Sequence, residues 1–163
     1  RSRFAGVVDD PGYSGNTDYV HELGLEKQVE ILGHLPHSKA LEALKSADIL
    51  ILIGDTDPDS GSYIPGKLYE YMAIGHPILA LSLSGESTQI IEKFNLGEVV
   101  DPSSLEQIKS AILKLYGQWS TGNRERDGNE EPQVRPSTLI YERKEQARML
   151  AALMDELADD IRR

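Results

Sequence analysis

Short apolar runs alternate with amphipathic segments through the first two-thirds of the chain. The apolar runs predict strands at residues 4–8, 29–32, 49–53, 78–83 and 98–100. The amphipathic segments predict helices at residues 17–23, 39–46, 67–74, 87–94 and 105–119. Strands and helices that alternate at this spacing form a parallel sheet with helices on its faces. The sequence therefore predicts an α/β fold.

Individual residues mark where several of these helices begin and end. Gly24 follows the first helical segment and is predicted to close it in the left-handed conformation. Gly75, followed by His76 and Pro77, is predicted to end the third helix. Ser103, with Glu106 three residues later, predicts a capping box ahead of the last of the five helices. Ser38 is the predicted N-cap of the second helix.

The third strand and the last quarter of the chain show different patterns. Residues 49–53 are all aliphatic, which predicts a strand covered on both faces. Residues 120–137 contain almost nothing to bury and predict a flexible surface loop. Residues 138–163 predict a long amphipathic helix that packs either on this domain's own sheet or on another domain. We assign that helix to the same Rossmann-like domain as residues 1–119.

The chain is acidic and contains no cysteine. Lysine and arginine number 17 and aspartate and glutamate 27 among its 163 residues, so the formal net charge is -10. A surface of this charge repels nucleic-acid phosphates and anionic lipid, and neither is an expected partner. The absence of cysteine excludes disulfides, thiolate nucleophiles and cysteine-ligated zinc.

The stretch between the third predicted strand and the third predicted helix has the features of an anion-binding loop. It starts at Gly54, where the strand ends, and ligands of open parallel sheets bind outside the carboxyl ends of the strands. Gly66 allows close approach to the backbone, Pro65 fixes the chain direction, and Lys67 adds a full positive charge to the helix start. The loop is predicted to receive a diphosphate, and an ordinary capped helix with a solvated lysine is the alternative.

Two other interpretations of this loop are weaker. Residues 61–67 have the spacing of a phosphate-binding P-loop, but Leu68 stands where a magnesium-binding serine or threonine is required. Asp55, Asp57 and Asp59 would offer carboxylates to a divalent cation. In so acidic a chain, a solvated loop is the commoner outcome for such a cluster, and we predict no metal site.

Several segments resemble the C-terminal domain of family-4-type glycosyltransferases. They are residues 33–48, residues 49–53, and residues 65–80 with the block Gly-Lys-Leu-Tyr-Glu-Tyr-Met-Ala. Residues 97–104 resemble the strand-to-helix passage of the same family, and the whole resemblance covers residues 3–119. It implies the C-terminal half of a GT-B fold, in which two Rossmann-like domains face each other across a cleft. It also implies sugar transfer from a nucleoside diphosphate donor, with retention of configuration and without a cofactor or a required metal.

The resemblance further implies which residues bind the donor. Glu70 matches the family's glutamate that hydrogen-bonds the ribose hydroxyls. Ser62 stands where many members have a glutamate that faces the transferred sugar, so the sugar-facing group is left unassigned. The expected nucleotide-sugar site consists of Gly33, His34 and Leu35 beside the base, with Ser62, Tyr63, Ile64, Pro65, Gly66, Lys67, Leu68 and Glu70 around the sugar, diphosphate and ribose. No catalytic residue is assigned within the chain.

By the same resemblance, the family's first strand is missing. It would lie between the strands at residues 4–8 and 49–53, and an open gap there is costly because backbone groups stay unpaired. We therefore expect a rearranged sheet, a homodimer or other partner chain that fills the gap, or a fragment of a larger enzyme. The absent N-terminal domain would bind the acceptor, and the fragment alone is expected to be inactive.

The favoured hypothesis is the donor-binding domain of a retaining hexosyltransferase that makes surface polysaccharide or glycolipid. Its donor would be a UDP-, GDP- or ADP-sugar. The implied location is cytoplasmic, with any contact to the inner face of the membrane made through the absent domain. Two alternatives are a non-catalytic nucleotide-binding or regulatory α/β module, and a metal-dependent phosphotransfer domain that uses Asp55, Asp57 and Asp59.

Overall fold

The computed structural model describes residues 1–9, 12, 14–54, 63–122 and 136–161. The chain divides into two units, Arg1–Leu44 and Lys45–Arg163. Their described strands form two separate sheets, and both sheets are parallel and accompanied by helices. This arrangement confirms the predicted Rossmann-like α/β class.

The first unit contains a two-stranded sheet. Its elements are β1 (Ser2–Ala5), α1 (Gly15–Glu22), β2 (Val29–Gly33) and most of α2 (His37–Lys45). β1 runs parallel to β2, with Ser2 opposite Val29. The predicted strand at residues 4–8 is misplaced, because Gly6 adopts a φ of +122° that takes the chain out of the extended conformation. Gly24 closes α1 with a φ of +66°, as predicted.

The second unit contains a three-stranded sheet in the order β3-β4-β5. Its elements are β3 (Leu50–Ile53), α3 (Gly66–Ile74), β4 (Ile78–Leu81), α4 (Glu86–Lys93), β5 (Gly97–Val100), α5 (Leu105–Gly122), a 3₁₀ segment (Pro136–Tyr141) and α6 (Arg143–Ile161). Leu50 pairs with Ile78 and Ile78 with Gly97, so the three strands start level with one another.

The core of this unit lies between the sheet and its helices. Leu79 and Val100 on the sheet pack with Ala111 and Leu115 of α5, and all four are at most 6 % exposed. Burial of one such leucine contributes about 2 kcal/mol. Gly97 is required beside β4, because a Cβ there would lie 2.6 Å from the main-chain nitrogen of Ile78.

The prediction that residues 49–53 are covered on both faces is wrong for the described chain. Leu50 and Leu52 are 1 % and 4 % exposed, whereas Ile51 and Ile53 are 38 % and 67 % exposed. The side chains of a strand point alternately to its two faces, so one face of β3 is packed and the other is open. Among the described residues, β3 also pairs on one side only.

Two predicted helix caps are corrected by the hydrogen bonds. The N–H groups of Lys39 and Ala40 donate to the carbonyl of Pro36, so Pro36, and not Ser38, stands at the start of α2. At α5 the cap is Ser104, whose Oγ accepts from the N–H of Gln107 at 3.4 Å. The hydroxyl of the predicted cap at residue 103 donates instead to the Asp101 carboxylate at 2.7 Å.

The last α-helix of the chain, α6, begins at a later residue than predicted. The helix predicted at residues 105–119 extends to Gly122, and the 3₁₀ segment precedes α6. Every described side chain from residue 147 to residue 159 of α6 is exposed. The assignment of this helix to the same domain stays a prediction. No helix in the described ranges has the length and hydropathy needed to cross a membrane.

Candidate functional site

β3 and β4 end together at one edge of the sheet. Ile53 pairs with Leu81, the last residue of β4, and the next N–H, that of Gly54, donates to the Leu81 carbonyl at 2.9 Å. The N–H of Ser82 donates to the carbonyl of Val100 at 3.1 Å, so β5 ends at the same edge. The loops that lead to α3 and α4 therefore start side by side, at the position where parallel sheets bind ligands.

The first turn of α3 is open. Its N-cap is Pro65, which offers no side-chain hydrogen bond to the helix. Gly66 and Lys67 are exposed, and a Cβ added to Gly66 would meet no described atom within 4 Å. The N–H of Leu68 donates to the Pro65 carbonyl at 3.0 Å, which leaves the N–H groups before it without an intrahelical acceptor. The start of α3 thus presents partial positive charge to solvent.

Lys67 and Glu70 lie three residues apart on α3 and carry opposite charges. Glu70 lies one turn into α3 and is half-buried. Burial, and then the negative charge of Glu70, raise the pKa of the neighbouring Tyr71. Within the described part of the chain, neither the Lys67 ammonium nor the Glu70 carboxylate forms an ion pair or a side-chain hydrogen bond. Both groups therefore remain available to a ligand.

The residues around Glu70 hold α3 in place. Leu68 is fully buried and Tyr71 is 7 % exposed, and the Tyr71 hydroxyl donates to the Ile51 carbonyl at 3.1 Å. Tyr69 lies on the boundary at 39 % exposure. Leu68 is thus a core residue whose side chain anchors the helix, and it lies apart from the exposed groups of the opening.

The start of α4 contacts the segment that precedes α3. Ser87, in the first turn of α4, donates from its Oγ to the main-chain carbonyl of Tyr63 at 3.0 Å. Ser87 is 9 % exposed, whereas the Tyr63 side chain is 69 % exposed. The two predicted site residues that follow Tyr63, Ile64 and Pro65, are half-buried. The main chain at Tyr63, three residues before α3, therefore lies beside the first turn of α4.

An aromatic cluster connects the 3₁₀ segment to α3. The ring of Tyr141 lies 5.8 Å from the ring of Tyr69 and 5.9 Å, edge-on, from that of Phe94. Burial, and then the nearby Tyr69 and Glu86, raise the pKa of Tyr141. The cluster places the segment before α6 against the residue adjacent to Glu70.

The remaining predicted site residues belong to the first unit or lie outside the described residues. Gly33 ends β2 with a φ of +66°, His34 is exposed, and Leu35 is half-buried. Ser62 lies outside the described residues. So do the three aspartates considered for a metal, Asp55, Asp57 and Asp59. Among the residues that are described, no cluster of three metal-ligating side chains occurs.

The start of α1 is occupied by a carboxylate from its own chain. Asp9 accepts from the N–H groups of Asn16 and Thr17, at 2.8 and 3.1 Å, and from the Thr17 hydroxyl. These bonds, chiefly that from the hydroxyl, lower the pKa of Asp9. An internal anion thus fills the position that an external phosphate would need, which sets α1 apart from α3.

Sequence patterns missed Ser87 and Tyr141. Ser87 was predicted only as the first residue of a helix, and its bond to Tyr63 joins residues 24 positions apart. The available signal was positional, because Ser-Gly-Glu-Ser-Thr follows β4 at the carboxyl edge of the sheet. Tyr141 gave no such signal, since nothing in its local sequence indicates a contact with Tyr69.

Comparison with known proteins gives one match. Residues 4–131 match the family described as Glycosyl transferases group 1. The matched region is most of the chain and contains β2 to β5 and α1 to α5, together with the second half of β1. No curated protein and no solved structure matches the chain significantly.

Proposed function

We propose that this chain, which belongs to the group 1 glycosyl transferases, binds the nucleoside diphosphate sugar donor of a retaining glycosyltransferase. One observation carries the proposal. The uncapped, exposed first turn of α3 opens at the carboxyl edge of the sheet, with Lys67 in the opening and Glu70 one turn behind it. This arrangement combines groups for two linked phosphates and for a neighbouring sugar alcohol.

The first turn of α3 suits the diphosphate part of the donor. The N–H groups of Gly66 and Lys67 have no intrahelical acceptor, and the helix dipole favours an anion at this end. The Lys67 ammonium adds a positive charge that stabilises the negative charge on the diphosphate as it leaves the sugar. Stabilisation of that leaving group is electrostatic, so no covalent step on this chain is required.

Glu70 suits the ribose part of the donor. An ionised carboxylate accepts two hydrogen bonds, and the two hydroxyls of a ribose can supply both. Glu70 is half-buried, so less of its hydrogen bonding is satisfied by water than at a fully exposed position. A partly shielded carboxylate with no described partner gains more from such a pair of bonds.

The chain is proposed as the C-terminal, donor-binding half of a GT-B enzyme of the family-4 type. The group that positions the acceptor would come from a facing domain, and hexosyl transfer to a surface polysaccharide or glycolipid is the proposed pathway class. Among the described residues, β1 and β3 each pair on one side only, and a strand from elsewhere in the enzyme or from a second copy would complete them. The proposed location of the reaction is the cytoplasm.

Calorimetric titration of the 163-residue chain with UDP, GDP and ADP, each with and without Mg²⁺, tests the proposal. One of the three nucleotides is expected to bind without Mg²⁺. Glu70→Gln is expected to weaken that binding about tenfold, the effect of losing roughly 1.4 kcal/mol from charge-assisted hydrogen bonds.

Glu92→Gln is the matched control, because Glu92 is an exposed glutamate on the neighbouring helix α4. Its affinity is expected to equal that of the unmodified chain. Binding that requires Mg²⁺ would favour the phosphotransfer alternative. Equal binding by Glu70→Gln and the unmodified chain would remove Glu70 from the site.

A further inference from the structure

The Ser87 hydroxyl fixes the main chain immediately before α3. Its Oγ lies 3.0 Å from the Tyr63 carbonyl oxygen, two residues before the N-cap Pro65. Ser87 is 9 % exposed, so a hydroxyl that lost this acceptor would have little access to water. The bond therefore connects the first turn of α4 to the segment that directs the opening of α3.

The same bond leaves the Tyr63 side chain outside the packed region. The main chain of Tyr63 is held by a buried group, while its side chain is 69 % exposed. A site residue whose backbone is fixed before a ligand arrives loses less conformational freedom on binding. The contact thus orders the start of the opening without filling it.

The adjacent residue provides a natural comparison. Thr88 is 3 % exposed and also uses its hydroxyl fully, donating to the Gly85 carbonyl at 2.8 Å and accepting from the Gly85 N–H at 2.9 Å. Both of these bonds stay within the first turn of α4. Loss of the Thr88 hydroxyl would disturb that turn but would leave the connection to α3 in place.

We infer that Ser87 is a positioning residue of the donor site, which holds Tyr63 so that the first turn of α3 is ready to receive the diphosphate. The donor role rests on the proposed function, whereas the positioning of α3 does not. Ser87 acts through the Tyr63 main chain and contacts no donor atom itself. Ser87 therefore contributes to donor affinity by ordering the main chain before α3. The ordering and the affinity can be measured separately.

The positioning part is tested by amide hydrogen exchange of the chain without nucleotide. The reporter is the N–H of Leu68, which donates to Pro65 in the first turn of α3. Ser87→Ala is expected to accelerate its exchange about three- to tenfold, which matches the loss of one net hydrogen bond. Ser87→Thr retains the hydroxyl and is expected to restore slow exchange, and Thr88→Val is expected to leave it slow.

The donor part is tested by nucleotide titration of the same variants. Ser87→Ala is expected to weaken diphosphate nucleotide binding about three- to tenfold, while Thr88→Val retains full affinity despite its lower stability. If Ser87→Ala does not fold, Ser87→Cys keeps the shape and weakens the donated bond, and the same two measurements apply.

Three results would overturn the inference in separable ways. Unchanged Leu68 exchange in Ser87→Ala shows that Ser87 does not position α3. Equal loss of affinity in Ser87→Ala and Thr88→Val shows that general destabilisation of α4 is responsible. Absence of nucleotide binding by the unmodified chain removes the donor role together with the proposed function, while the exchange result still decides the positioning role.

Discussion

Gly54 contacts Ser82 so closely that residue 54 has no room for a side chain. Each of the two is the first residue after one of two neighbouring strands, β3 and β4. A Cβ at residue 54 would overlap the Ser82 hydroxyl and lie 2.6 Å from the Ser82 Cβ. The two segments that lead from the sheet to α3 and α4 are thus in contact where they begin, with the backbone of one packed against a side chain of the other. Packing, and not a left-handed conformation, is what requires glycine at position 54.

Gly54→Ala is expected to lower the free energy of unfolding by about 1–3 kcal/mol, because the added methyl group forces the two chains apart. Ser82→Gly in the same chain removes the colliding atoms and is expected to recover most of that loss. Urea denaturation of the two single variants and the double variant measures the coupling. A double variant as unstable as the sum of its parts would contradict the contact.

Two other glycines are expected to respond in opposite directions to the same substitution. Gly117 lies inside α5, and a Cβ there meets no described atom, so Gly117→Ala should stabilise the chain by about 0.5–1 kcal/mol. Gly97→Ala should destabilise it by about 3 kcal/mol or prevent folding, because the added atom meets the main chain of Ile78. Thermal unfolding of both variants would test the pair, and equal midpoints would contradict it.

The elements of the second unit were predictable because apolar runs and glycines determine them locally. Gly75 closes α3 with a φ of +80°, as its position after the apolar segment indicates. The caps were less predictable, because two adjacent serines precede α5. Ser103 donates its hydroxyl to Asp101, and Ser104 accepts the helical N–H group of Gln107. The open face of β3 was not predictable either, since an all-aliphatic run does not reveal which face is packed.

Acidification is expected to loosen the start of α1. Because the hydrogen bonds of Asp9 lower its pKa from the usual 3.8, they stabilise the folded chain above that pH and are lost as pH falls below it. The amide chemical shifts of Asn16 and Thr17 should therefore move only in this acidic range. Asp9→Asn carries no titrating group at this position, and a retained transition in that variant would contradict the assignment.

Removal of the Tyr141 ring is expected to release the 3₁₀ segment from α3 and α4. Each aromatic pair contributes about 0.5–1.5 kcal/mol, and partial exposure of Tyr141 places the expected loss for Tyr141→Ala near 1 kcal/mol. Limited proteolysis should then cut ahead of α6 more rapidly. Tyr141→Phe keeps both ring contacts and should be cut at the original rate, and equal rates for the two variants would contradict the cluster.

The candidate site was predictable in its centre and not in its supports. Gly66, Lys67 and Glu70 lie on one short helix, so their spacing in sequence is enough to place them together. Ser87 lies 24 residues after its partner Tyr63, and Tyr141 lies 72 residues after its partner Tyr69. Tertiary packing alone brings these residues together. Local patterns carry no record of such contacts.

The exposure of α6 has a consequence for every measurement of stability. Its side chains from residue 147 to residue 159 are all exposed, so α6 should lose its structure gradually, as a helix with little tertiary burial does. Circular dichroism would therefore superimpose a broad, non-cooperative slope on the transition of the sheet. The single tryptophan, Trp119, whose indole donates to Asp48 at 2.9 Å, gives a fluorescence signal free of that slope.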